Sequence, residues 1–246
     1  SEAARTGPAA ARNRALAAAN GAWIAIVDND DFIAPHRLAH LIDAAERDGA
    51  DIAADDLHIF YEDHATPAHR HLQGPLAQAP RWISALDYAA SNVMFANDAG
   101  LGYLKPVFRR EGPYGAPRYD ETLRIGEDHN LIQRMLIAGA RMRIYPEPLY
   151  HYRKHAASIS HRLGTPAIEA MLAAHAGLNA GDDAQLKRAL GRQRRALERA
   201  HAYARLIDAL KARDAAAAFK AVAARPSAVT LLSQPIAARM RRLTRG

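Results

Sequence analysis

The sequence of 246 residues contains no cysteine, which excludes disulfide frameworks and thiolate metal sites. It also lacks any apolar run near the roughly 20 residues that a membrane-spanning helix requires. The first 21 residues hold no continuous apolar stretch, so we expect no signal peptide. These absences are typical of a protein of the reducing cytosol, and we expect a cytoplasmic location. Because the chain begins with Ser1 rather than Met, we expect a processed product or part of a longer protein.

Apolar residues make up 49% of the chain, enough for a sizeable core, and the length allows one large domain or a domain with an appendage. The formal charge of +7 is unevenly distributed. Residues 187–246 hold 15 Lys and Arg against 3 Asp and Glu, a net charge of +12, whereas residues 1–186 hold 18 against 23, a net charge of −5. A basic segment of this kind suits an anionic partner such as a phospholipid surface, nucleic acid or another protein.

The first quarter of the chain alternates between helix and strand signals. Residues 8–20 are rich in helix formers, and residues 22–27 form a short apolar run typical of a buried strand. Residues 35–49 have an apolar face at helical spacing and end in Gly49. Residues 50–62 suggest a pair of strands. This order predicts an α/β fold, with helices flanking the sheet.

The rest of the chain predicts fewer strands and more helix. The predicted elements are a helix at 82–92, a strand at 103–110, a helix at 126–140 with an acidic first turn, an extended segment at 141–155 and a mostly helical region from 166 onward. We therefore predict an α/β domain over residues 1–165 and a helical, basic C-terminal extension over residues 166–246.

The stretch 24-IAIVDNDDF-32 places Asp28, Asn29, Asp30 and Asp31 directly after an apolar run. Adjacent carboxylates repel one another unless a cation lies among them. Mg²⁺ and Mn²⁺ prefer oxygen ligands, and Mg²⁺ is commonly held by one or two carboxylates together with substrate phosphates. One interpretation is therefore a metal-bound nucleoside diphosphate at a strand end. The other is helix capping, in which Asp30 or Asp31 caps the helix at 35–49.

Four segments, in order, resemble the family 2 glycosyltransferases of the bacterial polysaccharide type, which have the GT-A fold. The segments are 7-GPAAARNRALAAANGAWIAIVDNDD-31, 104-LKPVFRR-110, 126-GEDHNLIQRML-136 and 149-LYHYRKHAASIS-160. They are similar to the family's Ala-Arg-Asn helix and Asp-x-Asp-Asp strand end, the strand before the acceptor side, the Glu-Asp motif and the Tyr-x-Tyr-Arg segment. The resemblance implies a GT-A-like, Rossmann-related mixed sheet flanked by helices.

The resemblance also implies roles for individual residues. Asp30 would coordinate Mn²⁺ or Mg²⁺, and Asp28 would contact the ribose or the sugar, or share the metal. Asn29 occupies the freely varying position of the motif and can hydrogen-bond to the substrate. Asp128 would be the general base for an inverting transfer, and Glu127 would shape the acceptor pocket. Without the resemblance, an ordinary acidic helix start would be the favoured interpretation of Glu127 and Asp128.

Three basic residues complete the implied site. Arg153 and His155 would bind the diphosphate, with His155 as a third metal ligand, and Arg12 would reach phosphate or nucleotide. The alternatives are a solvated basic loop for Arg153 and His155, and a surface helix arginine for Arg12. The implied reaction moves a sugar from a nucleotide-sugar donor to a glycan or lipid-linked acceptor.

The sequence departs from the family pattern in one respect. Members normally carry, before the Ala-Arg-Asn helix, further chain that supplies the first strands and most of the nucleotide-base pocket, and this chain lacks it. The alternative function is therefore a truncated, non-catalytic glycosyltransferase-like module. A third possibility is a phosphotransferase built on Asp-x-Asp, although that motif normally continues with a small polar or β-branched residue, where this chain has Asp31 and Phe32.

Residues 186–213 place leucines along one stripe of a helix with arginines around it. The stripe fits packing on the body, or docking on an anionic membrane at its cytoplasmic face, which suits a lipid-linked acceptor. Nucleic-acid binding is not expected, since no recognition motif accompanies the charge.

Overall fold

The computed structural model describes residues 7–62, 66–92, 100–154 and 164–232 of the chain. It contains a mixed sheet flanked by helices, followed by a helical C-terminal region. The helices are α1 (Pro8–Ala18), α2 (Arg37–Asp48), α3 (Ala85–Ser91), α4 (Glu127–Ile137), α5 (Thr165–Ala176), α6 (Ala184–Lys211) and α7 (Ala215–Ala224). The strands are β1 (Trp23–Ala25), β2 (Phe32–Ile33), β3 (Ile52–Tyr61), β4 (His69–Arg70), β5 (Arg81–Ile83), β6 (Val107–Arg109) and β7 (Met142–Lys154).

The sheet runs in the order β1-β6-β3-β7-β2, with β4 beside β3 and β5 beside β7. Strands β3 and β7 are parallel and form its centre, while the other pairings are antiparallel. This order brings three segments that are distant in sequence to one end of the sheet. They are the acidic loop of residues 28–31 after β1, the segment before β6 and the second half of β7.

Apolar side chains cover both faces of the central strands. On one face, Ile52, Leu57 and Tyr150 belong to a cluster that extends into α4. On the other face, Ala53 and Tyr145 pack against α2 in a second cluster. Burial on both faces is typical of the central strands of an α/β sheet, where helices cover each side. The two clusters fix the start of α2 and the start of α4 relative to the sheet.

Three predicted elements differ from the structure. The strand predicted at 103–110 is confined to β6, Val107–Arg109. The segment 50–62 is one continuous strand, β3, because it pairs with β4, β6 and β7 rather than with its own second half. The predicted helix at 82–92 begins later, since residues 81–83 pair with β7 as β5. Ser84 then caps α3: its hydroxyl accepts from the amide of Asp87, and the Asp87 carboxylate accepts from the Ser84 amide.

The C-terminal helices pack against the body. Leu186, Ala189 and Leu190 of α6 are buried in a cluster with Ala89 of α3, and Ile168 of α5 is buried against the middle of α6. The apolar stripe of α6 is therefore a packing surface, as one of the two interpretations expects. The opposite side of its first half exposes basic residues, namely Lys187, Arg188, Arg192, Arg194 and Arg195. Within the described ranges, no helix has the length and apolarity needed to cross a membrane.

Candidate active site

The guanidinium of Arg12 lies at the centre of the candidate site. Its Nη2 is 2.7 Å from Asp28 Oδ1, and its Nη1 is 2.5 Å from Glu127 Oε1 and 3.1 Å from Asp128 Oδ1. Because Arg12 bonds both groups, the acidic loop and the start of α4 form one cluster. Arg12 reaches this point because Ala9 and Ala10, buried one turn earlier, let α1 approach the core closely.

A second cation, Lys105, closes the other side of the cluster. Its Nζ lies 2.7 Å from Asp28 Oδ2 and 3.5 Å from Asp128 Oδ2, and its side chain is only 14% exposed. Lys105 stands in the segment 104-LKPVFRR-110, and no role for it was predicted from the sequence. A lysine just before an apolar strand carries no periodic signal, so only the order of the strands reveals this contact. We define the acid–base cluster as Arg12, Asp28, Lys105, Glu127 and Asp128.

The ionisation of the cluster follows from these contacts. Burial alone would raise the pKa of Asp28, but the adjacent Lys105 and Arg12 outweigh it and hold this pKa below its usual value. Burial raises the pKa of Glu127, with the neighbouring charge of Asp128 acting in the same direction. Burial would lower the pKa of Lys105, but the carboxylates of Asp128 and Asp28 raise it instead. Asp28 is thus held ionised between two cations.

The start of α4 is fixed by Gly126, whose φ of 80° lies in the left-handed region that favours glycine. A Cβ at this position would come within 3.2 Å of the Met171 side chain. The glycine therefore lets α5 approach and lets α4 begin abruptly at Glu127. Both carboxylates of the Glu-Asp motif then fall in the first turn, where the helix dipole favours negative charge.

Asp31 has a different role from helix capping. Its Oδ2 accepts a hydrogen bond from Tyr150 Oη at 2.8 Å, and its Oδ1 accepts one from the Arg153 amide at 2.8 Å. Tyr150 Oη also accepts from the Asp28 amide at 3.2 Å. Helix α2 begins after His36 without any side-chain cap, so the capping interpretation is wrong. Asp31 instead ties the acidic loop to β7.

Asn13, the last residue of the Ala-Arg-Asn motif, also has a fixed role in the geometry. Its Nδ2 donates to the Tyr119 carbonyl at 3.0 Å and to Glu121 Oε1 at 2.9 Å, while its Oδ1 accepts from the Tyr119 amide at 2.8 Å. Tyr119 lies under Arg12, with 5.5 Å from the guanidinium carbon to the ring centroid. Asn13 thus holds the loop that supports Arg12, a role that the sequence analysis did not identify.

The remaining predicted site residues lie outside the acid–base cluster. Asn29 is exposed and Asp30 is half-buried in the acidic loop. Arg153 bonds Asp31 through its backbone, while its guanidinium carbon lies 5.7 Å from the centroid of the Phe60 ring. His155 lies outside the described residues.

The donor set of the acidic loop suits a divalent cation that arrives with a phosphate ligand. In the part of the chain that the structure describes, no group of three or more His, Asp or Glu side chains has an arrangement that could hold a metal ion by itself. Mg²⁺ typically takes only one or two protein carboxylates beside substrate phosphates, and oxygen is its preferred donor. Asp30, half-buried in the acidic loop, is a carboxylate of this kind, so the loop fits such an ion.

A cavity of about 20 Å³ lies beside Lys105 and Asp128, with room for about one water molecule. Its remaining lining is mostly apolar: Ile26, Leu104, Pro106, Phe108, Tyr119, Leu131 and Ile132. The cavity is too small to hold a sugar, and it places mostly apolar side chains beside Lys105 and Asp128.

Comparison with known proteins identifies the class. The sequence profile described as "Glycosyl transferase family 2" matches residues 2–110. The chain is 38% identical over 247 aligned positions to the succinoglycan biosynthesis protein ExoO of Rhizobium meliloti (strain 1021), covering 96% of this chain and 68% of that protein. It is also 38% identical over 142 positions to ExoU of the same organism, covering 56% of this chain and 40% of that protein.

Solved structures with a similar fold agree with the sequence matches. The structure of S. aureus TarS 1-349 in complex with UDP-GlcNAc matches with a TM-score of 0.53 at 16% identity, covering 87% of this chain and 70% of that one. The complex with UDP matches with the same TM-score over 76% of this chain and 50% of that one. These matches confirm the predicted GT-A-like fold. The chain belongs to glycosyl transferase family 2, and it is a glycosyltransferase.

Proposed function

We propose that this chain transfers a sugar, with inversion, from a nucleotide-sugar donor to a hydroxyl of a glycan or lipid-linked acceptor. The observation that carries the proposal is the convergence of Asp28, Glu127 and Asp128 on two cations, Arg12 and Lys105. Such a transfer needs a carboxylate base for the acceptor and positive charge for the leaving diphosphate. The acid–base cluster holds both kinds of group within one network.

Asp128 is the proposed general base. Arg12 Nη1 lies 3.1 Å from one of its oxygens and Lys105 Nζ lies 3.5 Å from the other, so both cations hold this carboxylate in the cluster where an acceptor hydroxyl would need a base. Glu127, held by Arg12, shapes the acceptor side. If the base and the leaving group lie on opposite faces of the sugar, the anomeric carbon inverts.

The donor is proposed to bind along the acidic loop. Asp28 and Asn29 would contact the ribose or the sugar, and Arg12 and Arg153 would contact the diphosphate. Mn²⁺ or Mg²⁺, held by Asp30, would supply charge neutralisation for the diphosphate. His155 stays a predicted metal ligand, since it lies outside the described residues. Because TarS was solved with UDP and UDP-GlcNAc, UDP-sugars are the first donors to test.

The acceptor and location are proposed from the relatives and from the charge distribution. ExoO and ExoU are named for succinoglycan biosynthesis, which supports a role in polysaccharide assembly. The exposed basic face of α6 supports attachment to the cytoplasmic face of an anionic membrane. The domain boundary near residue 165 stays a prediction.

The deciding experiment is a screen of UDP-sugars with Mn²⁺, in which UDP release is measured with and without acceptor. Wild-type protein should release UDP, and Asp128→Asn should reduce release while still binding UDP. Donor binding without turnover in wild-type protein would support the alternative of a non-catalytic module. Phosphoryl transfer without sugar transfer would support the Asp-x-Asp phosphotransferase.

A further inference from the structure

A buried ion pair lies beneath the acid–base cluster and takes no direct part in it. Arg37, the first residue of α2, and Asp55 of β3 both have side chains with 0% exposure. Arg37 Nε donates to Asp55 Oδ2 at 2.8 Å, and Arg37 Nη2 donates to Asp55 Oδ1 at 2.7 Å. This two-point arrangement fixes the plane of the guanidinium as well as its position.

The same guanidinium contacts two segments of the candidate site. Arg37 Nη2 also donates to the backbone carbonyl of Lys105, the residue whose ammonium bonds Asp28. In addition, the guanidinium carbon lies 4.9 Å from the centroid of the Tyr150 ring, in cation–π geometry. Tyr150 Oη in turn bonds Asp31 and the Asp28 amide. Arg37 therefore contacts the backbone carbonyl of Lys105 and the ring of Tyr150, whose hydroxyl group bonds the acidic loop.

Stability alone does not account for this pair. Removing two charges from water is expensive, and replacing a buried ion pair by apolar side chains of similar volume is often neutral or stabilising. One nitrogen of the buried guanidinium, Arg37 Nη1, also has no hydrogen-bond partner among the described residues. The contacts of the pair with Lys105 and Tyr150 direct attention to the geometry that it imposes on these neighbours.

We propose that Arg37, oriented by Asp55, is a positioning residue for glycosyl transfer, fixing Lys105 and Tyr150 so that the acid–base cluster is preformed. The proposal rests on the proposed function. Arg37 contacts no reacting group and acts through the Lys105 carbonyl and the Tyr150 ring. Its loss should therefore reduce kcat more than it changes the donor KM, because the cluster must be held in place as the transition state forms.

The test is the double variant Arg37→Met/Asp55→Leu in the full chain, which replaces the ion pair by apolar side chains. We expect a melting temperature close to that of the wild type, together with a kcat reduced at least tenfold and a donor KM that changes less. Arg37→Lys keeps a cation beside Asp55 but cannot form the two-point contact. Its kcat should therefore lie between that of the double variant and that of the wild type.

The chain offers a control ion pair in Asp56 and Arg70, in which the carboxylate is buried and the arginine side chain is 44% exposed. Asp56 is 0% exposed and bonds Arg70 Nε at 2.7 Å, and Arg70 also donates to the Pro146 carbonyl. In the described contacts, these two side chains bond neither Lys105 nor Tyr150. Arg70→Met/Asp56→Asn keeps an oxygen for the two amides that bond Asp56 Oδ1, those of Leu57 and Leu72. We expect kcat to stay near the wild-type value in this control.

A readout independent of catalysis separates this proposal from the proposed function. Hydrogen exchange of the Asp28 and Arg153 amides, which donate to Tyr150 Oη and Asp31, should accelerate in Arg37→Met/Asp55→Leu but not in the control pair. Should wild-type protein transfer no sugar, this exchange still tests the positioning role. Wild-type kcat with unchanged exchange in a folded double variant, or equal losses in both pairs, would overturn the proposal. If the double variant does not fold, unchanged exchange and kcat in Arg37→Lys would overturn it.

Discussion

The Lys105 ammonium lies 2.7 Å from Asp28 Oδ2, although 77 residues separate the two in sequence. The contact exists because β6, which follows Lys105, pairs with β1, which precedes Asp28. Together with Arg12, Lys105 gives Asp28 of the acidic loop two fixed cationic partners.

Asp128→Asn should lower kcat by about 10²–10⁴-fold, the usual range for losing a general base, while UDP affinity changes little. The asparagine keeps the size of the side chain and an acceptor for Arg12 but cannot take a proton. Steady-state kinetics with a turned-over UDP-sugar would measure this. Glu127→Gln is the matched comparison, and a larger loss of kcat there than in Asp128→Asn would reassign the base to Glu127.

Asp30→Ala should abolish the Mn²⁺-dependent part of UDP binding, measured by calorimetry with and without the ion. Unchanged Mn²⁺ dependence in Asp30→Ala would contradict the metal assignment.

Asp31→Ala should instead destabilise the fold, because Asp31 accepts hydrogen bonds from Tyr150 Oη and the Arg153 amide. Leaving these donors unpaired should cost about 1–3 kcal/mol, which lowers the melting temperature by roughly 2–4 °C per kcal/mol in a protein of this size.

His129 should make the protein less stable in mild acid. His129 is half-buried, and this loss of hydration, with a smaller contribution from His175, lowers its pKa to about 4 from 6.5. The unfolded chain therefore binds more protons than the folded one between these values, so stability is complete above pH 6.5 and is lost as the pH falls toward 4. The loss amounts to about 3 kcal/mol at most, from the linkage relation.

Denaturant titrations between pH 4 and pH 7.5 would measure this effect. His129→Leu should flatten the pH dependence of the free energy of unfolding across that range, because the side chain no longer takes up a proton on unfolding. The exposed His36 provides a control, and His36→Leu should keep the wild-type slope. An unchanged slope in His129→Leu would rule out His129 as the source.

The basic face of α6 should bind anionic vesicles in a salt-sensitive manner. Arg188, Arg192 and Arg195 are exposed on the same side of the helix, and each well-placed basic residue contributes roughly 1 kcal/mol at an anionic surface. Replacing all three by Gln should weaken binding to vesicles of phosphatidylglycerol and phosphatidylcholine at least tenfold. Substitution is preferable to truncation at residue 186, since Leu186, Ala189 and Leu190 are part of the packed interior.

The control for this experiment removes three positive charges from the part of the chain before the C-terminal helices. Arg81, Arg118 and Arg124 are exposed and lie outside the C-terminal helices. Their replacement by Gln should leave vesicle binding nearly unchanged. If both triple variants lose binding equally, then net charge rather than the α6 face is responsible, and α6 serves only as a packing element.

Local pattern was enough to predict most of the elements and the residues of the motifs. Apolar periodicity and the helix-terminal signals predicted α1, α2 and α4, because these features act over a few residues. The family resemblance named Arg12, Asp28, Glu127 and Asp128, and the structure places these four side chains in one ion-pair network. Their chemical roles stay predictions until kinetics test them.

Only the tertiary structure decided which partners these residues have. Strand pairing is a long-range choice, so β3 pairs with β4 and not with part of itself, and β6 brings Lys105 to Asp28. Asp31 accepts hydrogen bonds from β7 instead of capping α2, because Tyr150 and the Arg153 amide are within reach only after β2 and β7 pair. The sequence by itself determined which groups the chain carries near each strand end. The order of the strands, fixed by burial on both faces of the sheet, decided which of those groups meet.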